Sequence, residues 1–187
     1  MSDIEKLEQL KQAILKIDNT VNAYIIFNKK LNKHLLLAAI SKKSSKISLF
    51  DASFGITSIG TLKYTVKNDN VFISSFEVNK HFQRKSLGKT MFNLALAHGD
   101  LLGATSAYGH AMPIDDIQGV PNSENYYEAT QRVLYKIYEK LGCEFDFYGD
   151  NNTFTINWQS GDRFENLQDE FKEIAEDLAG NKKENSL

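Results

Sequence analysis

The stretch VFISSFEVNKHFQRKSLGKTMFNLALAHG, residues 71–99, changes its hydrophobic pattern halfway along, and this change indicates the fold. Residues 71–78 form a short, mainly apolar run that is typical of a buried strand. Beyond a basic loop, Leu87, Met91 and Leu94 recur at helical spacing, and Gly103 is the expected stop. The stretch therefore predicts a strand that runs through a short basic loop into the N-terminus of a helix.

Such a junction can bind a phosphate group. The first backbone N–H groups of a helix have no helical partner, and the helix dipole is positive at that end. Arg84, Lys85 and Lys89 add positive charge there, and Gly88 lets a ligand approach the backbone closely. An ordinary solvated strand-to-helix turn has the same pattern, so the loop by itself leaves both interpretations open.

The segments around this stretch predict an α+β fold. An amphipathic helix at about 3–18 is followed by strands at 21–27, 34–40, 46–50, 56–66 and 71–78, with a hairpin turn at 67–70. Downstream, a short strand at 104–109 and a loop at 110–122 precede a second pair of helices with a hairpin between them. The inner stripe of the first is expected at Tyr126, Thr130, Val133, Ile137 and Leu141, and that of the second at Phe164, Leu167, Phe171, Ile174 and Leu178.

Composition excludes several classes of protein. The 187 residues are 42% hydrophobic with a net charge of −2, which favours one folded domain and disfavours disorder, broad nucleic-acid binding and attraction to an anionic membrane. Cys143 is the single cysteine, so no intrachain disulfide and no Cys/His metal cluster is expected. The acidic N-terminus is unlike a signal peptide, and no apolar run approaches about 18 residues. A cytoplasmic protein is expected.

Two motifs resemble the GNAT superfamily of N-acetyltransferases, which transfer an acetyl group from acetyl-CoA to an amine. The first motif is a strand that ends in Val and is followed by a few residues with an aromatic, then Gln or Arg, two residues, Gly, any residue, and Gly or Ala. The residues at these spacings are Val78, Phe82, Gln83, Arg84, Lys85, Ser86, Leu87 and Gly88. Ser86 replaces the usual first glycine, a change that a small residue tolerates where φ is negative. The second is the helix end at 134–143, where Cys143 replaces a usual aromatic residue. Together the motifs and the elements around them cover about 56–158.

The resemblance implies roles for particular residues. It implies that the backbone of Phe76, Glu77 and Val78 meets the thioester and pantetheine, and that Tyr138 protonates the leaving thiolate, although a packing tyrosine is the alternative. It also implies that CoA is bound by the loop and the first helical turn, at Gln83, Arg84, Lys85, Ser86, Leu87, Gly88, Lys89 and Thr90.

The general base has several candidates. Glu77 ends the central strand, and His110 ends the next strand beside Asp115 and Asp116; water is the third candidate. A solvated carboxylate and a surface histidine are the corresponding structural alternatives. His98 is expected to be a satisfied, partly buried residue of its helix.

The functional prediction is an acetyl-CoA-dependent N-acetyltransferase acting on a primary amine of a small molecule or a protein. The alternative is a protein that keeps the fold, and with it some CoA affinity, without turnover. The predicted organisation is an N-terminal helix at 1–19, an acetyltransferase domain at 20–160, and a C-terminal helix with a frayed tail at 161–187. The terminal helices either pack on their own domain or form a homodimer contact.

Overall fold

The computed structural model describes residues 1–111, 126–145 and 152–180, with residues 126–129 described by their backbone alone. A short 3-10 turn, Lys80–Phe82, lies between the fifth strand and the second helix. The elements in chain order are α1 (Asp3–Ile17), β1 (Asn22–Asn28), β2 (Lys33–Ile40), β3 (Ser45–Phe50), β4 (Ser58–Lys67), β5 (Asn70–Val78), α2 (Leu87–Leu101), β6 (Ser106–His110), α3 (Tyr126–Lys140), β7 (Glu144–Phe145), β8 (Thr153–Asn157), α4 (Asp162–Glu165) and α5 (Asp169–Leu178).

One sheet joins all of these strands, in the order β1-β2-β3-β4-β5-β6-β8-β7. The first five strands form a meander in which each strand pairs with the next in antiparallel fashion. β6 is parallel to β5, and the chain reaches it through α2. The predicted mixed, mostly antiparallel sheet flanked by helices is therefore confirmed.

Helices cover both faces of the meander. α2 packs on β3, β4 and β5, and α4 and α5 pack against α2 on the same face. α1 lies on the opposite face against β1 and β2. The side chains of β2 alternate accordingly: Leu35 and Leu37 join the main core under α2, whereas Leu36 packs with Leu7 and Leu10 of α1.

The buried stripe of α3 is displaced by one residue from the predicted one. Thr130 is buried as expected, but Ile137 is 41% exposed while Tyr138 is only 6% exposed. The reason is aromatic packing, because the Tyr138 ring stacks on Phe154 of β8 with the ring centroids 4.1 Å apart. The helix thus presents its larger aromatic side chain to the core and leaves the isoleucine at the surface.

The single C-terminal helix predicted from periodicity is two helices. α4 ends at Glu165, and Gln168 adopts an extended conformation before α5 begins. The apolar stripe continues across the break, and Phe171, Ile174 and Leu178 are buried against the main core. The helical periodicity predicted which of these residues are buried, but it did not indicate the break between the two helices.

In the ranges that the structure describes, no helix is both long and apolar enough to span a membrane. Several sequence predictions fall outside those ranges: the loop from residue 112 to 122 with Asp115 and Asp116, most of the turn at 150–152, the side chain of Tyr126, and the tail from residue 181.

Candidate active site

β5 and β6 separate from each other partway along their length. They pair from Asn70 and Ser106 to Ile73 and Gly109, but β5 continues to Val78 while β6 ends one residue later. The edge of β5 at residues 74–78 therefore has no strand beside it in the described structure. The cleft that opens there is lined by Ile73, Ser74, Ser75, Phe76, Glu77, His110, Leu134, Tyr138 and Phe154.

A β-bulge lies at the point of separation. Ser75 is opposite Lys63 and Ile73 is opposite Tyr64, so Ser74 is an extra residue in β5. Its hydroxyl donates to the Lys63 carbonyl oxygen at 3.3 Å. A bulge bends its strand and increases the local twist. This bend directs the second half of β5 away from β6.

The backbone beyond the bulge presents groups to the cleft in alternation. The Asn79 N–H donates to the Ile59 carbonyl at 2.9 Å. This hydrogen bond shows that the N–H of Asn79 points toward β4, as do the backbone N–H and C=O groups of every second residue before it, back to the bulge. In an antiparallel ladder neighbouring residues point to opposite edges, so the N–H and C=O of Glu77 face β4, whereas those of Phe76 and Val78 face the open edge. The expectation that the Glu77 amide meets a substrate is therefore wrong, and the edge groups belong to its two neighbours.

Side chains alternate between the two faces of the sheet. Phe76 and Val78 face α2, and a Cβ added to Gly88 would lie 3.1 Å from the Phe76 ring. Glu77 points to the other face and is exposed. Gly88 thus permits close packing of α2 on β5 in addition to any close approach by a ligand.

The loop between β5 and α2 is held in an unusual backbone conformation. The Gln83 side-chain amide donates to the Val78 carbonyl at 2.9 Å, and the Phe82 ring is buried. Arg84 and Ser86 both have positive φ, +62° and +63°. The condition under which a small residue would tolerate the replacement of glycine, a negative φ, is therefore not met at Ser86. Two non-glycine residues occupy the left-handed region, which costs about 1 kcal/mol or more for each.

The N-terminus of α2 follows directly. Ser86 is the N-cap residue, but its side chain makes no capping hydrogen bond to the helix. The Thr90 hydroxyl donates to the Ser86 carbonyl at 3.1 Å, and the Leu87 side chain is buried, so these two residues stabilise the helix start. The basic side chains Arg84, Lys85 and Lys89 are exposed around it. The first-turn N–H groups and these cations form a local electropositive site.

Tyr138 reaches the cleft from α3. Its ring stacks on Phe154 and makes edge contacts with Phe76 and Phe145 at 6.2 and 6.1 Å between centroids. Among the described residues its hydroxyl has no hydrogen-bond partner. Burial raises the pKa of this hydroxyl well above its ordinary value, so it keeps its proton at neutral pH. The ring is fixed by packing while the residue also lines the cleft, so packing does not exclude proton donation by the hydroxyl, which stays a prediction.

The two candidate bases also line the cleft. The exposed Glu77 carboxylate lies on the face of the sheet opposite α2, and the His110 Nδ1 is 3.2 Å from the Thr153 hydroxyl. Their roles as bases remain predictions. Five further residues line the cleft without having been predicted in the site: Ile73, Ser74, Ser75, Leu134 and Phe154. For Phe154, the alternation with Ile156 along β8 is a signal that the sequence contains.

His98 is occupied in the core. The Tyr64 hydroxyl lies 2.8 Å from its Nδ1, and the Ser41 hydroxyl lies 3.5 Å from its Nε2. Burial lowers the pKa of the imidazole to about 4. The residue is therefore a neutral, satisfied core histidine, as expected.

Comparison with known proteins gives likeness in structure alone. No protein-family model matches the chain, and no curated protein matches it in sequence. The cAMP-binding acyltransferase from Mycobacterium smegmatis superposes with a TM-score of 0.60 at 8% identity over 93% of this chain, and this chain spans 59% of that protein's length. PaiA N-acetyltransferase from Thermoplasma acidophilum, in complex with coenzyme A, gives 0.47 at 13% identity, covering 62% of each chain. A GNAT-family acetyltransferase from Staphylococcus aureus gives 0.46 at 12% identity, covering 63% of this chain and 69% of its own.

At these identities the likeness concerns the fold. The strand order and the crossing helix α2 give this chain the fold of the Mycobacterium smegmatis acyltransferase, in agreement with the GNAT-like fold predicted from the sequence. The resemblance seen in the two sequence motifs is thus confirmed at the level of architecture.

Proposed function

We propose that this protein is an acetyl-CoA-dependent N-acetyltransferase that transfers the acetyl group directly to a primary amine. One observation carries the proposal: the opening between β5 and β6 brings the Tyr138 hydroxyl, which has no hydrogen-bond partner among the described residues, together with the edge of β5 and with Glu77 in one cleft. A cleft between two strands joins the two faces of the sheet, so two substrates can meet in it from opposite sides.

The residues on the α2 side fit coenzyme A. The N-terminus of α2 with Arg84, Lys85 and Lys89 suits a pyrophosphate, since it combines the first-turn N–H groups of the helix with exposed cations. The N–H and C=O of Phe76 and the N–H of Val78 suit the amides of pantetheine, because an added strand would use such edge groups, whereas the Val78 carbonyl already accepts from the Gln83 side chain. Acetyl-CoA, when bound there, supplies a thioester carbon for attack by the amine.

The described side chains account for the proton movements. The amine nitrogen forms a bond to the carbonyl carbon, the carbon–sulfur bond breaks, and the Tyr138 hydroxyl gives its proton to the departing sulfur. The proton lost by the amine passes to Glu77, to His110 or to water. Glu77 is exposed on the face opposite α2. We infer that the acceptor, an amine of a small molecule or of a protein, approaches from that face.

A protein that binds CoA without turnover is the second candidate. The left-handed Ser86 favours it, because a strained loop lacking the usual glycine is compatible with reduced function. Thiol release from acetyl-CoA over a broad amine panel, measured beside CoA binding by calorimetry, separates the two. Binding without thiol release on any amine would favour the second candidate.

The Tyr138→Phe variant tests the assignment of the acid. It keeps the stacked ring and deletes the donor, so we expect turnover to fall by about 10²-fold or more while the affinity for acetyl-CoA is unchanged. Tyr135→Phe is the matched control, because that tyrosine lies on the same helix and its hydroxyl donates to Asn152 at 2.7 Å. Full turnover in Tyr138→Phe, under conditions where chemistry limits the rate, would refute the role.

A charge reversal tests the phosphate site. Arg84→Glu with Lys89→Glu should weaken CoA binding at least tenfold by replacing attraction with repulsion, while folding is retained because both side chains are exposed. Lys43→Glu with Lys46→Glu changes the net charge equally at exposed positions in β3 and the turn before it, two strands away from β5. Equal CoA affinity in the two double variants would remove the assignment.

A further inference from the structure

The left-handed residues of the phosphate loop flank a carbonyl group that is held from a distant part of the chain. The Asn28 side-chain amide, at the end of β1, donates to the Lys85 carbonyl at 3.1 Å across a sequence separation of 57 residues. Lys85 stands between Arg84 and Ser86, the two residues with positive φ. This hydrogen bond is therefore placed where it constrains the peptide groups on both sides.

Asn28 is itself held rigidly. Its Oδ1 accepts a hydrogen bond from the Leu31 N–H at 2.8 Å, within the turn between β1 and β2, and the residue is 9% exposed. Because the oxygen is used by this N–H, the amide nitrogen must point to the loop, and both ends of the side chain are satisfied. The turn thus orients a donor toward the Lys85 carbonyl.

The same turn makes a second contact with the loop. Lys33, the first residue of β2, lies with its ammonium group 5.9 Å from the centroid of the Phe82 ring. Lys33 is also ion-paired with Asp51, whose side chain is fully buried. Burial alone would raise the pKa of Asp51, but Lys33 and the Ser53 N–H more than offset this and lower it, so the Asp51 carboxylate stays charged. The Phe82 ring of the loop therefore packs against a lysine whose position is fixed by its ion pair with Asp51.

We infer that Asn28 is a positioning residue for the proposed CoA site: its amide holds the Lys85 carbonyl and so keeps Arg84 and Ser86 in a conformation that glycine would adopt freely. The inference rests on the proposed function. Left-handed backbone at a non-glycine residue persists where the surroundings determine it. Asn28 supplies that determination at Lys85, the residue directly before the N-cap of α2.

The test is a double-mutant cycle on CoA affinity measured by calorimetry with CoA itself. Asn28→Ala should raise the Kd about fivefold, the equivalent of one lost hydrogen bond of about 1 kcal/mol. In the Ser86→Gly background the same Asn28→Ala change should raise the Kd less than twofold, because glycine needs no external support for positive φ. A purely structural role for Asn28 would give the same factor in both backgrounds and would overturn the inference.

Asn70→Ala is the matched control. Asn70 also donates to a turn carbonyl, that of Asn68, but it lies at the opposite end of β5 from the loop. We expect Asn70→Ala to lower the melting temperature to an extent comparable with Asn28→Ala while leaving the CoA Kd within twofold of wild type. An equal rise in Kd in both variants would show a general loss of stability and overturn the inference.

A measurement without ligand separates this inference from the proposed function. In the free protein, Asn28→Ala should shift the backbone amide resonances of residues 84–88, and Asn70→Ala should leave them in place. Unshifted resonances in Asn28→Ala would overturn the inference whatever the protein binds. If Asn28→Ala shows these shifts but the wild-type protein binds no CoA at millimolar concentration, the proposed function is overturned, and with it the assignment of the loop to CoA.

Discussion

Asp100 joins two helices that are far apart in sequence, and its removal gives a sharp test of how α4 is held. The carboxylate, at the buried C-terminal end of α2, accepts hydrogen bonds from the Gly161 N–H at 2.8 Å and the Phe164 N–H at 2.9 Å. Gly161 is the N-cap of α4 and has no side chain to cap the helix. Asp100 therefore caps α4 from outside, as an N-cap side chain would from within.

The expected loss follows from these two contacts. A hydrogen bond to a charged group contributes about 1.5–3 kcal/mol, so Asp100→Ala, which removes both and leaves two N–H groups unpaired, should cost about 3 kcal/mol or more. For a chain of 187 residues the unfolding entropy is about 0.4 kcal/mol per kelvin, and the melting temperature should fall by about 8 °C. Asp100→Asn keeps one acceptor oxygen and should lose about half as much.

Calorimetric melting and urea unfolding at pH 7 measure the effect. Asp169→Ala is the matched control, because this aspartate begins α5 with a side chain that is 99% exposed and should cost less than about 1 kcal/mol. A loss in Asp100→Ala no larger than that in Asp169→Ala would refute the view that the capping contact holds α4 to α2.

Two further predictions concern buried titratable groups. Burial lowers the pKa of His98 to about 4, against 6.5 when exposed, so between these pH values the unfolded state binds a proton that the native state does not. Between pH 8 and pH 5, the free energy of unfolding measured in urea should therefore fall by about 2 kcal/mol more in the wild type than in His98→Gln. Equal losses in the two proteins would contradict this. Burial raises the pKa of the Cys143 thiol to about 12. At pH 8 a thiol reagent should therefore modify the native protein at least about 10³-fold more slowly than the urea-unfolded protein. Rapid labelling of the native protein would show that the thiol is accessible.

The sequence was sufficient for most of the helices and strands and for the strand–loop–helix junction at which the site is predicted. Alternating and helical periodicity located the strands and helices because each had a buried face of regular spacing. The loop motif located the start of α2 and the basic residues around it. These features depend on local sequence, which is why they could be predicted.

The remaining features depend on contacts that local sequence does not encode. Helical periodicity could not separate Ile137 from Tyr138, because adjacent residues differ by only about 100° around the axis and the choice was made by the ring of Phe154. The bulge at Ser74 is not marked by any characteristic residue type in the sequence. The left-handed Ser86 is stabilised from β1, and no pattern within the loop indicates a partner 57 residues before Lys85.

The short ladder between β5 and β6 has a consequence for the order in which the molecule is assembled. The first five strands join neighbours in sequence, so their sheet forms through short loop closures. β6 reaches β5 only after α2 has crossed the sheet, and it is secured there by four residue pairs. Non-local parallel pairing is slow, so we expect the meander to form early and β6, β8 and β7 to dock later. A chain emerging from the ribosome would then possess a sheet before it possesses a cleft.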